Sequence, residues 1–297
     1  MSDNILMSGK VFRAAILFLC LTITIVANGQ DRTKYQSIHQ IERARHLGES
    51  PGSHTMLSAS IPLQPRVSST GALTKKVLGW HPVWAPDDAY LSYDYTALTH
   101  IAYFSYETDT ATGSYTSLDG WNTTPLIDTA HRHGVKVLLT VTNFGYGEND
   151  KILKDTVKQS RMIDTLIKVL LRRNGDGLNF DFEQVNATQR LHLVSFMRQV
   201  SARVKAQIPA AEISMATPAV DFDNAYDFLN LSRACDYLIL MGYDYYWSGS
   251  VTAGPVAPLQ GELYDDVNSV NAYLGTGMDT SKLLLGVPWY GYDWPVV

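Results

Sequence analysis

Eight consecutive residues, Asp176-Gly177-Leu178-Asn179-Phe180-Asp181-Phe182-Glu183, carry the densest chemistry in the chain. Side chains alternate along an extended strand, so Asn179, Asp181 and Glu183 share one face while Leu178, Phe180 and Phe182 share the other. Burying two carboxyls and an amide together is costly unless they bond one another, so such a face predicts a site rather than a packing surface. A charged Asp181 beside Glu183 would raise the glutamic acid's pKa, keeping it protonated as an acid catalyst must be. A surface strand with a wet polar face is the competing reading, and the burial of strands inside parallel sheets argues against it. Elsewhere the chemistry is thin. No Cys/His cluster has metal-ligand spacing, so neither metal nor cofactor is expected. Cys235 opens the apolar run CDYLILM and reads as a buried inert thiol. His131 and His133 precede Gly134 at a helix end, where imidazoles cap carbonyls.

The elements that must position these residues repeat a simple unit. Strand-like apolar runs occur at residues 76–80 (KVLGW), 100–105 (HIAYFS), 135–142 (VKVLLTVT), 177–183 (GLNFDFE), 212–217 (EISMAT), 237–243 (YLILMGY) and 283–288 (LLLGVP). Helix-patterned segments lie between several of them, clearest at 155–172 and 189–207. Strands alternating with helices imply parallel pairing through right-handed crossovers. Two architectures fit, an open doubly wound sheet and a closed (β/α)8 barrel. The first strand is followed by GWHPVW rather than a Gly-rich phosphate loop, which disfavours a nucleotide-binding sheet. Polar and aromatic residues collect just after strand ends, at Glu183, Tyr243-Asp244 and Trp289-Tyr290, as on the catalytic face of a barrel. The fold class expected is therefore α/β, a (β/α)8 TIM barrel over residues 75–297.

With these motifs in hand the chain resembles the family 18 glycoside hydrolases, whose strand-four signature is D-G-x-D-x-D-x-E. Met241-Gly242-Tyr243-Asp244 matches that family's M-x-Y-D, and Gly286-Val287-Pro288-Trp289-Tyr290-Gly291 is similar to its strand-seven segment. The resemblance covers roughly residues 75–297 in the correct order. Asn179 in place of the first inner Asp, and the stretch GVPWYGYDW, look most like chitobiase-type and spore-cortex-lytic-type members. The third strand ends Thr140-Val141-Thr142-Asn143-Phe144-Gly145, a departure from the S-x-G-G common among chitinases.

The resemblance implies a retaining, substrate-assisted glycosidase cleaving β-1,4 linkages next to N-acetylglucosamine in chitin oligomers or peptidoglycan. Glu183 would protonate the glycosidic oxygen and then activate water. The substrate's own 2-acetamido carbonyl would attack the sugar, which is the exception to two-carboxylate glycosidases. Asp181 would orient that acetamido group and stabilise the positive charge on it, Tyr243 would donate its hydroxyl to the acetamido oxygen, and Asp244 would bind sugar hydroxyls or the acetamide nearby. Asn179, Met241, Trp289, Tyr290 and Trp80 complete the expected substrate-binding set, the aromatics by stacking on pyranose faces. The Asn179 amide can donate a hydrogen bond to Asp181. A non-catalytic GlcNAc-binding lectin on the same barrel, or an inactive fragment, are the alternatives; the lectins of the family typically lack the acid that stands here as Glu183.

The ends and the composition frame this reading. Lys10 and Arg13 precede a 14-residue apolar run from Ala14 to Ala27, short of the roughly 20 residues a membrane-spanning helix needs. Ala27-Asn28-Gly29 offers small residues for a peptidase, so residues 1–29 read as a signal peptide and the mature chain as secreted or extracytoplasmic. Residues 30–74 are polar and without a sustained period, as expected of a poorly ordered N-terminal tether. Val297 follows Tyr290 by seven residues, so seven strands are expected with the eighth missing: an incomplete copy of a longer barrel, in preference to an N-terminal arm patching the gap. The 297 residues hold 24 Lys and Arg against 29 Asp and Glu, with 45% hydrophobic residues. That balance excludes a disordered chain and a general nucleic-acid binder. The expected partner is a GlcNAc-containing saccharide, met by a monomer.

Overall fold

The computed structural model describes residues 35–46 and 73–294; the expected signal peptide, the greater part of the expected tether and Cys20 lie outside the described residues. Strands β1 (Leu78–Pro82), β2 (His100–Asp109), β3 (Ser114–Ser117), β4 (Lys136–Phe144), β5 (Gly177–Glu183), β6 (Glu212–Pro218), β7 (Tyr237–Met241) and β8 (Leu283–Gly286) form one sheet. Its order is β1-β2-β4-β5-β6-β7-β8, every neighbour along this path parallel, with β3 hung antiparallel on β2. The seven parallel strands are those expected, and they curve as an incomplete (β/α)8 barrel. The hairpin strand β3 was not foreseen. Its sequence, SYTS, is short and carries no alternating apolar face, so pairing with β2 rather than local pattern makes it a strand.

Helices cover the outer face: α2 (Leu126–Arg132), α3 (Tyr146–Leu153), α4 (Thr156–Arg173), α5 (Arg190–Gln207), α6 (Phe228–Ala234) and α7 (Asp266–Gly275), with α1 (Ile38–Arg45) set apart from them. Helix α4 begins where the Asp155 carboxylate accepts the Val157 and Lys158 N–H groups, and ends at Asn174 in the left-handed conformation. Its stripe Met162, Ile163, Leu166, Val169 and Leu170 follows helical spacing and is buried. Phe180 and Phe182 of β5 pack outward on Phe196 of α5, with ring centroids 5.6 and 5.9 Å from it. Burial of each such ring contributes about 1.5–3 kcal/mol. That outward packing turns Asn179, Asp181 and Glu183 inward.

The bottom of the sheet is tied by charge. Glu212, first residue of β6, accepts Lys76 (2.8 Å), Lys136 and His100 (3.1 Å), joining the starts of four strands. Despite the cost of burial, the hydrogen bonds from His100, Lys136 and Lys76 hold the Glu212 carboxyl well below the usual range. A depressed folded-state pKa means that the contribution is present above the unfolded value near 4.5 and is lost as pH falls below it. Glu212→Gln is expected to lower Tm by about 2–4 °C at pH 7, the shift for about 1 kcal/mol in a domain of this size, and by clearly less at pH 2, which lies between the unfolded and folded values, where most of the contribution has been lost. Thermal scans at the two pH values check this.

Helix α1 lies within the segment expected to be a loosely ordered tether. It is started by a reciprocal cap: Ser37 Oγ accepts the Gln40 N–H, and the Gln40 side chain accepts the Ser37 N–H at 2.9 Å. Being a helix, α1 does not extend the sheet as a strand. Among the described residues no helix is long and apolar enough to cross a membrane.

Candidate active site

Strand β5 sets the site. Its register places Thr140 beside Asn179, Thr142 beside Asp181 and Phe144 beside Glu183. Asn179, Asp181 and Glu183 are all buried at the inner face. The end of the strand is clamped through its carbonyls: Tyr226 donates to Phe182 O at 2.7 Å, while Asn149 Nδ2 (2.6 Å) and the Gly145 N–H (3.1 Å) donate to Glu183 O. Asn149 is itself aimed by Asn143, whose amide donates to it at 3.0 Å. Immediately afterwards Gln184 turns left-handed, ending the strand with the Glu183 side chain at the mouth.

Burial, then the Asp181 charge, pushes the Glu183 carboxyl up to about 8. The direction matches the expectation from the alternating carboxylates, but desolvation leads and the neighbouring charge is second. Tyr243 is buried against the same two acids and Asp244, and its hydroxyl is held protonated well above its ordinary range. Asp244 has a left-handed backbone; its Oδ1 accepts hydrogen bonds from Tyr290 (2.7 Å) and Tyr292 (2.9 Å). Burial nevertheless raises its carboxyl. Met241 packs with Ala216 and Tyr243, and Tyr290 lies partly buried against that group. Trp80 packs against Leu138, Tyr237 and Ile239 in the barrel interior, its indole N–H without a protein partner.

Two expected placements differ. Asn179 does not donate to Asp181: its Oδ1 accepts from Ser214, its register partner on β6, at 3.0 Å, and its Nδ2 has no partner among the described residues. The Ser214 hydroxyl fixes the amide through its oxygen, and in that orientation the nitrogen makes no hydrogen bond to Asp181. Trp289 stands 98% exposed, outside the group that Tyr243, Asp244 and Tyr290 form. His131 and His133 also depart from carbonyl capping. His131 pairs with Asp176 at 2.7 Å, and His133 stacks on Tyr95 with centroids 4.7 Å apart. Cys235 is a buried free thiol, pushed up to about 12 by burial, as its apolar setting predicts.

The sequence reading missed His39. From α1 its Nδ1 reaches Asp181 Oδ2 at 2.8 Å and comes within 3.8 Å of Glu183 Oε1. Burial alone would lower its pKa, but the Asp181 charge and hydrogen bond, with Glu183 and Asp244 behind them, carry it up to about 9. The Ser37-x-x-Gln40 cap could have revealed a helix here; nothing local points to its partner 142 residues away.

His39, Asp181 and Glu183 each offer a ligand atom within 4.8 Å of the others. The 2.8 Å contact is, however, a direct hydrogen bond, closer than the roughly 3.3 Å between two ligands about 2.0 Å from one tetrahedral zinc. His39 and Asp181 thus pair with each other directly, while Asp181 Oδ1 and Glu183 Oε1 have no hydrogen-bond partner among the described residues. Beside Glu183 lies a cavity of about 110 Å³ bounded by Tyr146, Asp221, Tyr226, Tyr243, Asp244 and Tyr264. Aromatic walls with a few acids suit a neutral polyhydroxylated ligand. The acid, the carboxylate and the tyrosine together can donate a proton and stabilise a neighbouring positive charge.

The model for glycosyl hydrolases family 18 matches residues 76–297. Di-N-acetylchitobiase of Rattus norvegicus is 27% identical over 217 residues, covering 68% of this chain and 51% of the relative. A cortical fragment-lytic enzyme of Bacillus anthracis is 24% identical over 208 residues, 66% of this chain and 46% of that one. Catalytic domain 2 of the Ostrinia furnacalis group II chitinase superposes with a TM-score of 0.66 at 22% identity, over 72% of this chain and 64% of that domain, a likeness of fold. The chain spans about half the length of these two curated relatives.

Proposed function

The chain belongs to the family 18 glycosyl hydrolases, and from that premise we propose that it is a retaining, substrate-assisted glycosidase. It cleaves β-1,4 bonds next to N-acetylglucosamine in chitin oligomers or peptidoglycan, outside the cytoplasmic membrane. The observation that carries the reading is Glu183 at the end of β5, buried, kept protonated to about pH 8 and two residues from Asp181 on the same face. Glu183 gives its proton to the glycosidic oxygen as the bond to the anomeric carbon breaks. The acetamido oxygen of the same sugar takes up that carbon, and Asp181 faces the positive charge that develops. The Tyr243 hydroxyl, held protonated, donates to the acetamido oxygen and fixes its approach. Glu183, now a carboxylate, removes a proton from the water that opens the ring intermediate. Two displacements at one carbon restore its configuration. The relatives' names, a chitobiase and a cortical fragment-lytic enzyme, support both substrate classes.

Digestion of chitotriose and of purified cell wall, followed by mass spectrometry and by NMR of the fresh products, tests the proposal. GlcNAc-terminated products that start as the β-anomer are expected. Initial α-anomer would rule out assistance by the acetamido group, and no product from either substrate would rule out the activity. The acid must be protonated, so kcat/KM, which reports the substrate-free protein, is expected to fall about tenfold per unit above about pH 8. A profile still flat at pH 9.5 would remove Glu183 as the proton donor.

A further inference from the structure

We propose that residues 35–46 are an intramolecular inhibitor: a basic helix of the chain's own N-terminal arm that occupies the saccharide cleft and must leave before substrate enters. The proposal rests on the cleft assignment above, because the residues the helix covers are those assigned to the sugar. Ile38 packs on the group formed by Ala216, Met241 and Tyr243 at one side of the mouth. His39 takes the centre, bonded to Asp181, its ring 5.2 Å from Phe104 and 6.0 Å from Trp80. One turn on, Arg43 crosses to the β2 side and pairs with Glu107 (2.5 Å) and Asp119 (2.8 Å). His46 then stacks flat on Trp84, centroids 5.3 Å apart. Ahead of the helix, Gln184 donates to Tyr35 O, and the Tyr35 ring meets Trp247 edge-on at 5.2 Å.

Three features make this a fitted occupant rather than a chance contact. The helix bridges the mouth from β7 to β2, so it excludes a saccharide along its length. Its charges are complementary, His39 and Arg43 facing Asp181, Glu183, Glu107 and Asp119. Its central group is a flat imidazole hydrogen-bonded to the carboxylate that would face the cationic sugar intermediate, so it takes the place where the reaction develops charge. Placed on the same chain, even a weak helix acts at an effective concentration near millimolar.

If the helix closes the cleft, apparent affinity is reduced by the open fraction. In the full chain, His39→Ala with Arg43→Glu is expected to lower KM for chitotetraose by about tenfold or more with kcat changed less than threefold. A synthetic peptide of residues 35–46 added to that variant is expected to bind in calorimetry and to inhibit competitively. KM within twofold of the parent's, in a variant that melts cooperatively, would overturn the inhibitor. So would a peptide that does not bind at millimolar concentration. The peptide measurement needs no sugar: if chitotetraose binds to neither protein while the peptide does, the saccharide assignment falls and the docked helix stands.

Discussion

On the proposed mechanism, replacing Glu183 by glutamine is expected to lower kcat on a GlcNAc oligomer by about 10³-fold, within the range a positioned general acid supplies. Glutamine keeps the shape of the side chain and can still donate a hydrogen bond, but its amide N–H does not transfer a proton to a departing oxygen. The neutral amide also resembles the form in which Glu183 is held below about pH 8, so the substitution leaves no new buried charge. Tm is therefore expected to stay within about 2 °C of the parent, and oligosaccharide affinity within a few-fold. Loss of rate with retention of binding and stability separates proton donation from structural damage. A variant that keeps more than a tenth of the parent's kcat would show that another group protonates the leaving oxygen. Asp181→Asn provides the contrast: it removes the partner of His39 as well as the charge facing the sugar, so both affinity for the N-terminal helix and turnover fall together.

The part of the site readable in the sequence is the part specified by local alternation. Along β5 a period of two separates Phe180 and Phe182 from Asp181 and Glu183 without knowledge of any partner strand, and the fold keeps that division. Helix α4 was equally legible, since Asp155 and the apolar stripe that follows state both its start and its buried face. What depends on register was not. Asn179 bonds Ser214 because β5 and β6 align those residues, and no pattern within either strand specifies that alignment. Aromatic identity alone also says nothing of direction: Trp80 and Trp289 were equal candidates, and one lies in the barrel interior while the other faces solvent. His39 and Arg43 were invisible for a further reason. Their segment has little apolar surface of its own, and the acids that hold it lie far along the chain.

Gly177→Ala is expected to yield an insoluble chain, or one whose Tm falls by more than 10 °C. A methyl group at Gly177 would sit 1.9 Å from Glu212 O and 2.7 Å from Glu212 N, and the backbone there holds φ at +151°. Both colliding atoms belong to the facing strand, so no side-chain rotation relieves the overlap. Overpacking of this kind costs about 1–3 kcal/mol, and the strained backbone about 1–3 more. At about 2–4 °C per kcal/mol the upper half of that sum, about 4–6 kcal/mol, lowers Tm by about 8–24 °C, and a contact as short as 1.9 Å to backbone puts the cost in that half, a large share of a stability of about 5–15 kcal/mol. The damage also falls where it spreads furthest. Relief requires β5 and β6 to part at the Gly177–Glu212 pair, which displaces the carboxylate holding Lys76, Lys136 and His100 and loosens Ser214 from Asn179 one step above. Gly134→Ala separates the two causes. Gly134 has φ of +74°, but a methyl there meets nothing within 4 Å, so only the backbone cost of about 1 kcal/mol remains and Tm drops by a few degrees. Equal melting temperatures for the two variants would show that contact between β5 and β6 is not what requires glycine at 177.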